Sequence, residues 1–154
     1  MATLRGEPVD RPAVSFYEIG GFLVNPNDPD LYNIYNSPSW QPLLRLAEER
    51  TDLIRMVPPT VKPAPDNCAS EFFTHETYEE NGSRFFKTTL KISGRTLTSL
   101  SRRDPEVDTV WTLEHLLKDT DDLKAYLELP DEVFIYEADV SNLQKVEEEI
   151  GDRG

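Results

Sequence analysis

The sequence predicts a mixed α/β fold, and three patterns in the chain of 154 residues support this prediction. Residues 1–60 alternate strand, helix and strand, an order typical of a parallel sheet. Residues 71–102 contain three β-rich segments separated by turn dipeptides, which indicate an antiparallel β-meander. Residues 108–154 favour connecting helices. The length fits one domain with a buried core.

The parallel start is predicted from strands at 13–18 and 52–57 on either side of one helix. The first strand alternates apolar and polar residues, and the second is stopped by a Pro-Pro pair at 58–59. Ser39 is the expected N-cap of the helix, which places apolar residues on one face: Trp40, Leu43, Leu44 and Ala47.

The meander is predicted mainly from Asn81-Gly82, the dipeptide that most strongly favours a two-residue hairpin turn. A Ser-Gly pair at 93–94 separates the second and third segments. Period-two alternation places three residues of the first strand on one face: Phe73, His75 and Thr77.

Residues 108–117 fit either a strand or a helix, because their apolar residues match both periods. Asp119 or Thr120 is expected to cap a helix that ends before Pro130. A last helix is predicted from the capping-box pattern at 141–144, with Gly151 as its C-terminal cap.

Composition excludes several classes of partner. The net charge is −13 and no run of Lys or Arg offsets it, so nucleic acid and anionic membranes are not expected to bind. No apolar run is long enough to span a bilayer. Cys68 is the only cysteine, which excludes an intramolecular disulfide and favours a reducing, cytoplasmic location.

No catalytic residue, cofactor or metal site is predicted. The two histidines, His75 and His115, and Cys68 lack the spacing of metal ligands, and no positioned base can be assigned to the thiol. Glu18 is a candidate ligand-binding residue, because it ends a predicted parallel strand where α/β sheets bind their ligands. A carboxylate that only stabilises the turn is the competing interpretation.

Two segments resemble the uroporphyrinogen decarboxylase superfamily, which includes cobalamin-dependent methyltransferases: RGEPVDRPAVSF at 5–16 and DTVWTLEHLLKD at 108–119. The resemblance implies a TIM-barrel-like fold in which this chain is the N-terminal part, because a complete barrel usually needs about 250 residues. The meander would be an excursion from that barrel.

The chain departs from the decarboxylases at their MRQAGRY run. Tyr17 and Gly21 stand where two substrate-binding arginines are expected, and Glu18 adds a negative charge, so porphyrinogen decarboxylation is not expected. The resemblance therefore implies a segment without catalysis of its own, with Tyr17, Glu18 and Arg55 lining a ligand face. Two alternatives stay open: a protein-interaction module, or an enzyme active only as a self-assembled barrel. The expected partners are a second copy of the chain or the rest of a longer parent protein.

Overall fold

The computed structural model describes residues 5–16 and 30–151 of the chain. Its helices are α1 (Gln41–Arg50), α2 (Ala69–Phe72), α3 (Thr120–Tyr126) and α4 (Ser141–Ile150), with 3₁₀ turns at Ile34–Asn36 and Asp131–Phe134. Its strands are β1 (Thr60–Pro63), β2 (Phe73–Glu80), β3 (Ser83–Ile92), β4 (Arg95–Arg103), β5 (Val110–Glu114) and β6 (Tyr136–Asp139).

The strands of the described residues form two sheets. β1 pairs with β6, and the larger sheet has the order β2-β3-β4-β5, with all three of its pairings antiparallel. Short hairpin connections link its strands in sequence, whereas a parallel barrel needs crossover connections. The described residues contain no closed barrel, so the prediction of an α/β fold forming the N-terminal part of a TIM barrel is wrong.

The predicted meander is confirmed. Glu80 pairs with Ser83 across the first turn, and both turn residues have positive φ, 51° at Asn81 and 80° at Gly82. Two consecutive positive φ angles define a type I′ turn, whose twist matches that of the flanking strands. The second hairpin repeats this geometry at the Ser-Gly pair 93–94, with φ of 49° and 74°.

The predicted parallel start is wrong as far as the structure describes it, because residues 13–16 and 52–57 form no strand. Val14 and Asp52 exchange hydrogen bonds, but one of them uses a side chain: the Val14 N–H donates to Asp52 Oδ2 and the Asp52 N–H donates to the Val14 carbonyl, both at 2.8 Å. A carboxylate in place of a backbone acceptor, together with prolines that have no N–H, stops a ladder from extending.

Three predicted helices are confirmed, although not all of their caps. Asp119 caps α3 by accepting hydrogen bonds from the backbone N–H groups of residues 121 and 122, and Gly151 ends α4 with φ of 55°. At α1 the N-cap is Trp40 rather than Ser39. At α4 the capping box does not form, and Asp139 Oδ1 instead accepts from the N–H of Ser141 at 2.9 Å. No helix in the described part of the chain is both long and apolar enough to cross a bilayer.

Residues 108–154 were predicted to form connecting helices, and this prediction is incomplete. The segment also contains the strands β5 and β6. Val110–Glu114 resolves the ambiguous segment as a strand. Pairing with β4 decides between two interpretations that the sequence pattern left equal.

The chain divides into two compact units, and the second comprises Asp30–Ile34 and Lys62–Glu137. Its core lies at one end of the four-stranded sheet, where strand residues pack against α3 and the second 3₁₀ turn: Leu90, Ile92, Leu97, Ala125, Leu129 and Val133. Half-buried apolar side chains of α2 pack against this cluster. The burial of these side chains supplies the main driving force for folding.

One charged residue among the described residues, Asp122, is buried in this unit. Its carboxylate accepts hydrogen bonds from the Lys118 backbone N–H at 3.0 Å and from Arg95 Nη2 at 2.8 Å. The Lys118 N–H, followed by Arg95, lowers the pKa of the Asp122 carboxyl below its ordinary value. A buried carboxylate is tolerated here because it is paired.

The first unit comprises the described residues of Met1–Pro29, Tyr35–Val61 and Ala138–Gly154. Arg11 holds Asp52 with two hydrogen bonds, from Nη1 at 2.7 Å and from Nη2 at 2.8 Å. The Asn142 amide donates to the Pro58 carbonyl at 2.8 Å and so ties the start of α4 to the preceding irregular segment. Side-chain hydrogen bonds thus hold parts of this unit where the predicted strands do not form.

Candidate functional site

Of the three predicted ligand-binding residues, the structure describes only Arg55, because Tyr17 and Glu18 lie outside the described residues. The Arg55 side chain is 14% exposed, and its Nη2 lies 2.7 Å from Glu48 Oε2. Arg55 lines a pocket of about 280 Å³ in the first unit, mostly with apolar residues of α4: Leu143, Val146 and Ile150. A guanidinium already paired with a carboxylate is a weak candidate for binding an anion.

The other reactive side chains of the described residues form no metal-binding cluster. In residues 5–16 and 30–151, no group of three His, Cys, Asp or Glu side chains could hold a metal ion. His75 Nδ1 contacts Thr88 Oγ1 at 3.1 Å, but no described carboxylate is hydrogen-bonded to the ring to orient it as a base.

The larger pocket lies within the second unit and encloses about 470 Å³. That volume falls in the range of small-molecule and side-chain binding pockets, about 300–1,000 Å³. Rings supply much of its wall, with a few polar groups between them: Pro63, Asn67, Ala69, Ser70, Phe73, His75, Tyr126, Val133, Phe134 and Tyr136.

Strand β2 positions one side of this pocket. Phe73 and His75 are two residues apart and therefore share a face of the sheet, the face on which buried Leu90 lies opposite Phe73. Their rings stack in parallel, with an interplanar angle of 1° and centroids 6.3 Å apart. Because Phe73 packs against the core, it gives the more exposed His75 ring a fixed neighbour.

The opposite side of the pocket is held in place by Asn67. Its Nδ2 donates to the carbonyls of Val133 and Ile135 at 3.0 and 2.8 Å, and its Oδ1 accepts from the N–H of Ala69 at 2.9 Å. These bonds join the start of α2 to the second 3₁₀ turn. Phe134 on that turn packs against Tyr126 at the end of α3, with centroids 6.0 Å apart.

Strand β2 is also an edge of the four-stranded sheet, and no described strand pairs with its outer side. Alternate residues of an edge strand direct their N–H and C=O groups away from the sheet, which makes the edge a template for another strand. All residues of β2 after Phe73 are exposed. An unpaired edge eight residues long therefore runs directly beside the aromatic pocket.

The charge along this edge is negative. Glu76 pairs with Lys87 at 3.6 Å and Glu79 pairs with Arg84 at 3.1 Å, whereas Glu80 makes no ion pair within the described residues. Exposed pairs of this kind are screened and worth little. The acidic edge opposes pairing with an acidic strand, including the same strand of a second copy, and favours a basic one.

The sequence predicted part of this site. The alternation that places Phe73 and His75 on one face is visible in the sequence and is confirmed by the strand register. Convergence of Tyr126, Phe134 and Tyr136 on the same pocket had no sequence pattern to reveal it, because it depends on how α3 and the second 3₁₀ turn pack on the sheet. No family model, curated protein or solved structure matches the chain.

Proposed function

We propose that the second unit is a protein-interaction module that binds an extended, basic peptide segment at strand β2. The peptide adds to the four-stranded sheet as a further strand, and one apolar or aromatic side chain of it enters the pocket beside His75. The observation that carries this proposal is the combination of an unpaired edge strand with a pocket built partly from the same strand. Strand addition of this kind gives affinity through the backbone and specificity through pockets for alternate side chains.

The register of β2 supports a peptide whose backbone pairs with the strand and whose alternate side chains face the pocket. Side chains directly opposite each other on paired antiparallel strands have Cβ atoms about 4.5–5.5 Å apart. A peptide residue placed opposite His75 projects from the same face of the sheet as His75 and Phe73, which is the face that bears the pocket. The next peptide residue projects from the other face. One residue in two can therefore be selected by the pocket.

Charge supports a basic partner. The chain carries −13 in total, and the β2 edge carries three glutamates, of which two form exposed pairs with cations of β3 and Glu80 forms none within the described residues. Lys or Arg in the peptide gains attraction from this edge and associates faster at low salt. Charged residues on an edge also serve as protection against aggregation, and this is the competing interpretation of the same glutamates.

The interaction module was one of three functions left open by the sequence, and it is the one that does not depend on a barrel. A segment of a barrel enzyme and a self-assembled barrel both rest on a strand-helix-strand start, and residues 13–16 and 52–57 form no strand. The meander, by contrast, is complete within the described residues and has an accessible edge.

The test is selection of random linear peptides displayed on phage, followed by fluorescence anisotropy with synthetic versions of the enriched sequences. We expect enriched peptides to carry Lys or Arg, alternate β-branched residues and one apolar anchor. Replacing the anchor by Ala should weaken binding at least about tenfold, or about 1.4 kcal/mol. N-methylation of the alternate peptide nitrogens that face β2 should abolish binding, whereas N-methylation of the nitrogens between them, which point away from β2, should not.

The matched variants lie on the same strand. His75→Ala should weaken the selected peptides about tenfold, whereas Tyr78→Ala, on the opposite face of β2, should leave them unchanged. Circular dichroism checks that both variants fold. The proposal fails if no peptide is enriched, if the enriched peptides are acidic, or if both variants bind as the parent does.

A further inference from the structure

A second feature of the same sheet lies on the face opposite the pocket. The strand registers place Tyr78 opposite Phe85, Phe85 opposite Arg102, and Arg102 opposite Trp111. Directly opposed residues of paired strands project from the same face. These four side chains therefore form one row across all four strands, and we call this row the aromatic stripe.

The aromatic stripe is accessible. Tyr78 is 40% exposed, Trp111 is 50% exposed and Phe85 is half-buried, although large aromatic side chains usually bury most of their surface. The rings of Tyr78 and Phe85 stack with centroids 5.2 Å apart and an interplanar angle of 10°. Arg102 is held between its aromatic neighbours by two contacts to Asp104, each of 3.1 Å. The stripe is thus a continuous row of three rings and one guanidinium and not a set of scattered apolar residues.

The spacing of the stripe indicates what can lie on it. Neighbouring strands are about 4.8 Å apart, so Phe85 and Trp111, which are separated by two strand spacings, are about 9.6 Å apart. A polyproline II helix rises about 3.1 Å per residue and repeats every three residues, or about 9.3 Å. Two prolines three residues apart can therefore each contact one of these rings at the same time.

The charges around the stripe favour a basic ligand over an anionic one. Glu80 lies on the same face as Tyr78, and the positive charge of Arg102 is balanced by Asp104. Aromatic rows on sheets also stack nucleic-acid bases, but such sites need a positive groove for the phosphates, and this chain carries −13.

We propose that the aromatic stripe binds a proline-rich segment of another protein in the polyproline II conformation, flanked by Lys or Arg. Prolines three residues apart lie against Phe85 and Trp111, and a flanking cation lies near Glu80. Polyproline II segments suit aromatic rows because they are already extended and lose little conformational entropy on binding. This site uses the face opposite the pocket, so it stands independently of the proposed function.

The experiment is titration of the full chain with a synthetic peptide that repeats Pro-X-X-Pro and carries a basic flank, followed by nuclear magnetic resonance of the backbone amides and tryptophan indoles. We expect saturable shifts at Trp111 and across residues 83–86 and 100–103. Phe85→Ala and Trp111→Ala should each weaken binding about tenfold or more. Phe86→Ala is the matched control, because Phe86 is the next residue of β3, has the same side chain as Phe85, and projects from the other face.

Four results would overturn the proposal: no saturable binding, equal binding of a peptide with its prolines replaced by Ala, equal loss in the Phe86→Ala variant, or tighter binding of a single-stranded oligonucleotide or a glycan at the same residues. His75→Ala separates this site from the pocket. It should leave binding of the proline-rich peptide unchanged even if the proposed strand addition at β2 does not occur.

Discussion

Substitution of Leu90 by Ala tests whether the described core carries the stability of the second unit. Leu90 is 0% exposed and lies at the centre of the cluster formed by the sheet, α3 and the second 3₁₀ turn. It also lies directly opposite Phe73, which forms part of the pocket wall. Loss of its side chain should therefore weaken the fold and loosen the pocket.

The expected magnitude follows from burial. Ala lacks three carbon groups of Leu, and each buried group contributes about 0.8 kcal/mol, or about 2.4 kcal/mol together. The cavity left behind adds to this loss, so the total should be about 3–4 kcal/mol, within the range of about 2–5 kcal/mol usual for buried Leu→Ala changes. Leu127 is 72% exposed, so Leu127→Ala should change the free energy of unfolding by less than about 0.5 kcal/mol.

The assay is urea denaturation followed by circular dichroism, with both variants measured beside the parent chain. The midpoint should fall for Leu90→Ala while the slope stays constant, because a constant slope shows that the two states compared are the same. If Leu90→Ala costs no more than Leu127→Ala, the cluster around Leu90 is not the core and the packing described above is wrong.

Three further predictions concern a turn, a helix cap and a titrating group. Gly82→Ala should destabilise the chain by about 1–2 kcal/mol in the same denaturation assay, because φ of 80° is unfavourable for a residue with a Cβ; an unchanged midpoint would contradict the type I′ turn. Asp119→Ala should lower the free energy of unfolding by about 0.5–2 kcal/mol, because the α3 cap is lost, whereas Asp119→Asn should keep most of that stability. An equal loss in both variants would show that capping is not the reason. The Asp52 carboxyl should titrate at about 2, because first the Arg11 guanidinium and then the Val14 N–H hold its pKa below 3.8; carbon-13 shifts measure it, and Arg11→Ala should raise it. Since the pKa of Asp52 is lower in the folded than in the unfolded chain, the stability linked to this group is complete above pH 3.8 and is lost as the pH falls towards 2. If the pKa of Asp52 in the Arg11→Ala variant stays the same as in the parent chain, the pairing with Arg11 is refuted.

The parts of the fold that sequence reasoning predicted correctly depend on local chemistry. The hairpin at Asn81-Gly82 follows from two residues that tolerate positive φ, and its register follows from the two-residue turn. The cap at Asp119 follows from a short side chain that can reach free backbone N–H groups at the start of a helix. In each case the residues that decide the structure are close together in the sequence.

The parts that sequence reasoning missed depend on contacts between distant residues. A strand forms only where a partner strand supplies hydrogen bonds, so the pattern at 52–57 could not show that the Asp52 side chain would bind Val14 in place of a ladder. The resemblance to a barrel superfamily was carried by short segments, and it gave no information on how those segments pair.

The candidate site also combines features set by nearby residues with features set by contacts between distant residues. Sequence alternation by itself determined that Phe73 and His75 share a face, since a strand has a period of two. Only the tertiary structure decided that β2 is an edge strand, that rings from α3 and the second 3₁₀ turn close a pocket over that face, and that Phe85 and Trp111 lie in one row on the other. The physical reason is that side-chain direction is a local property of the backbone, whereas strand order and the packing of helices on a sheet are set by the burial of apolar surface across the whole unit.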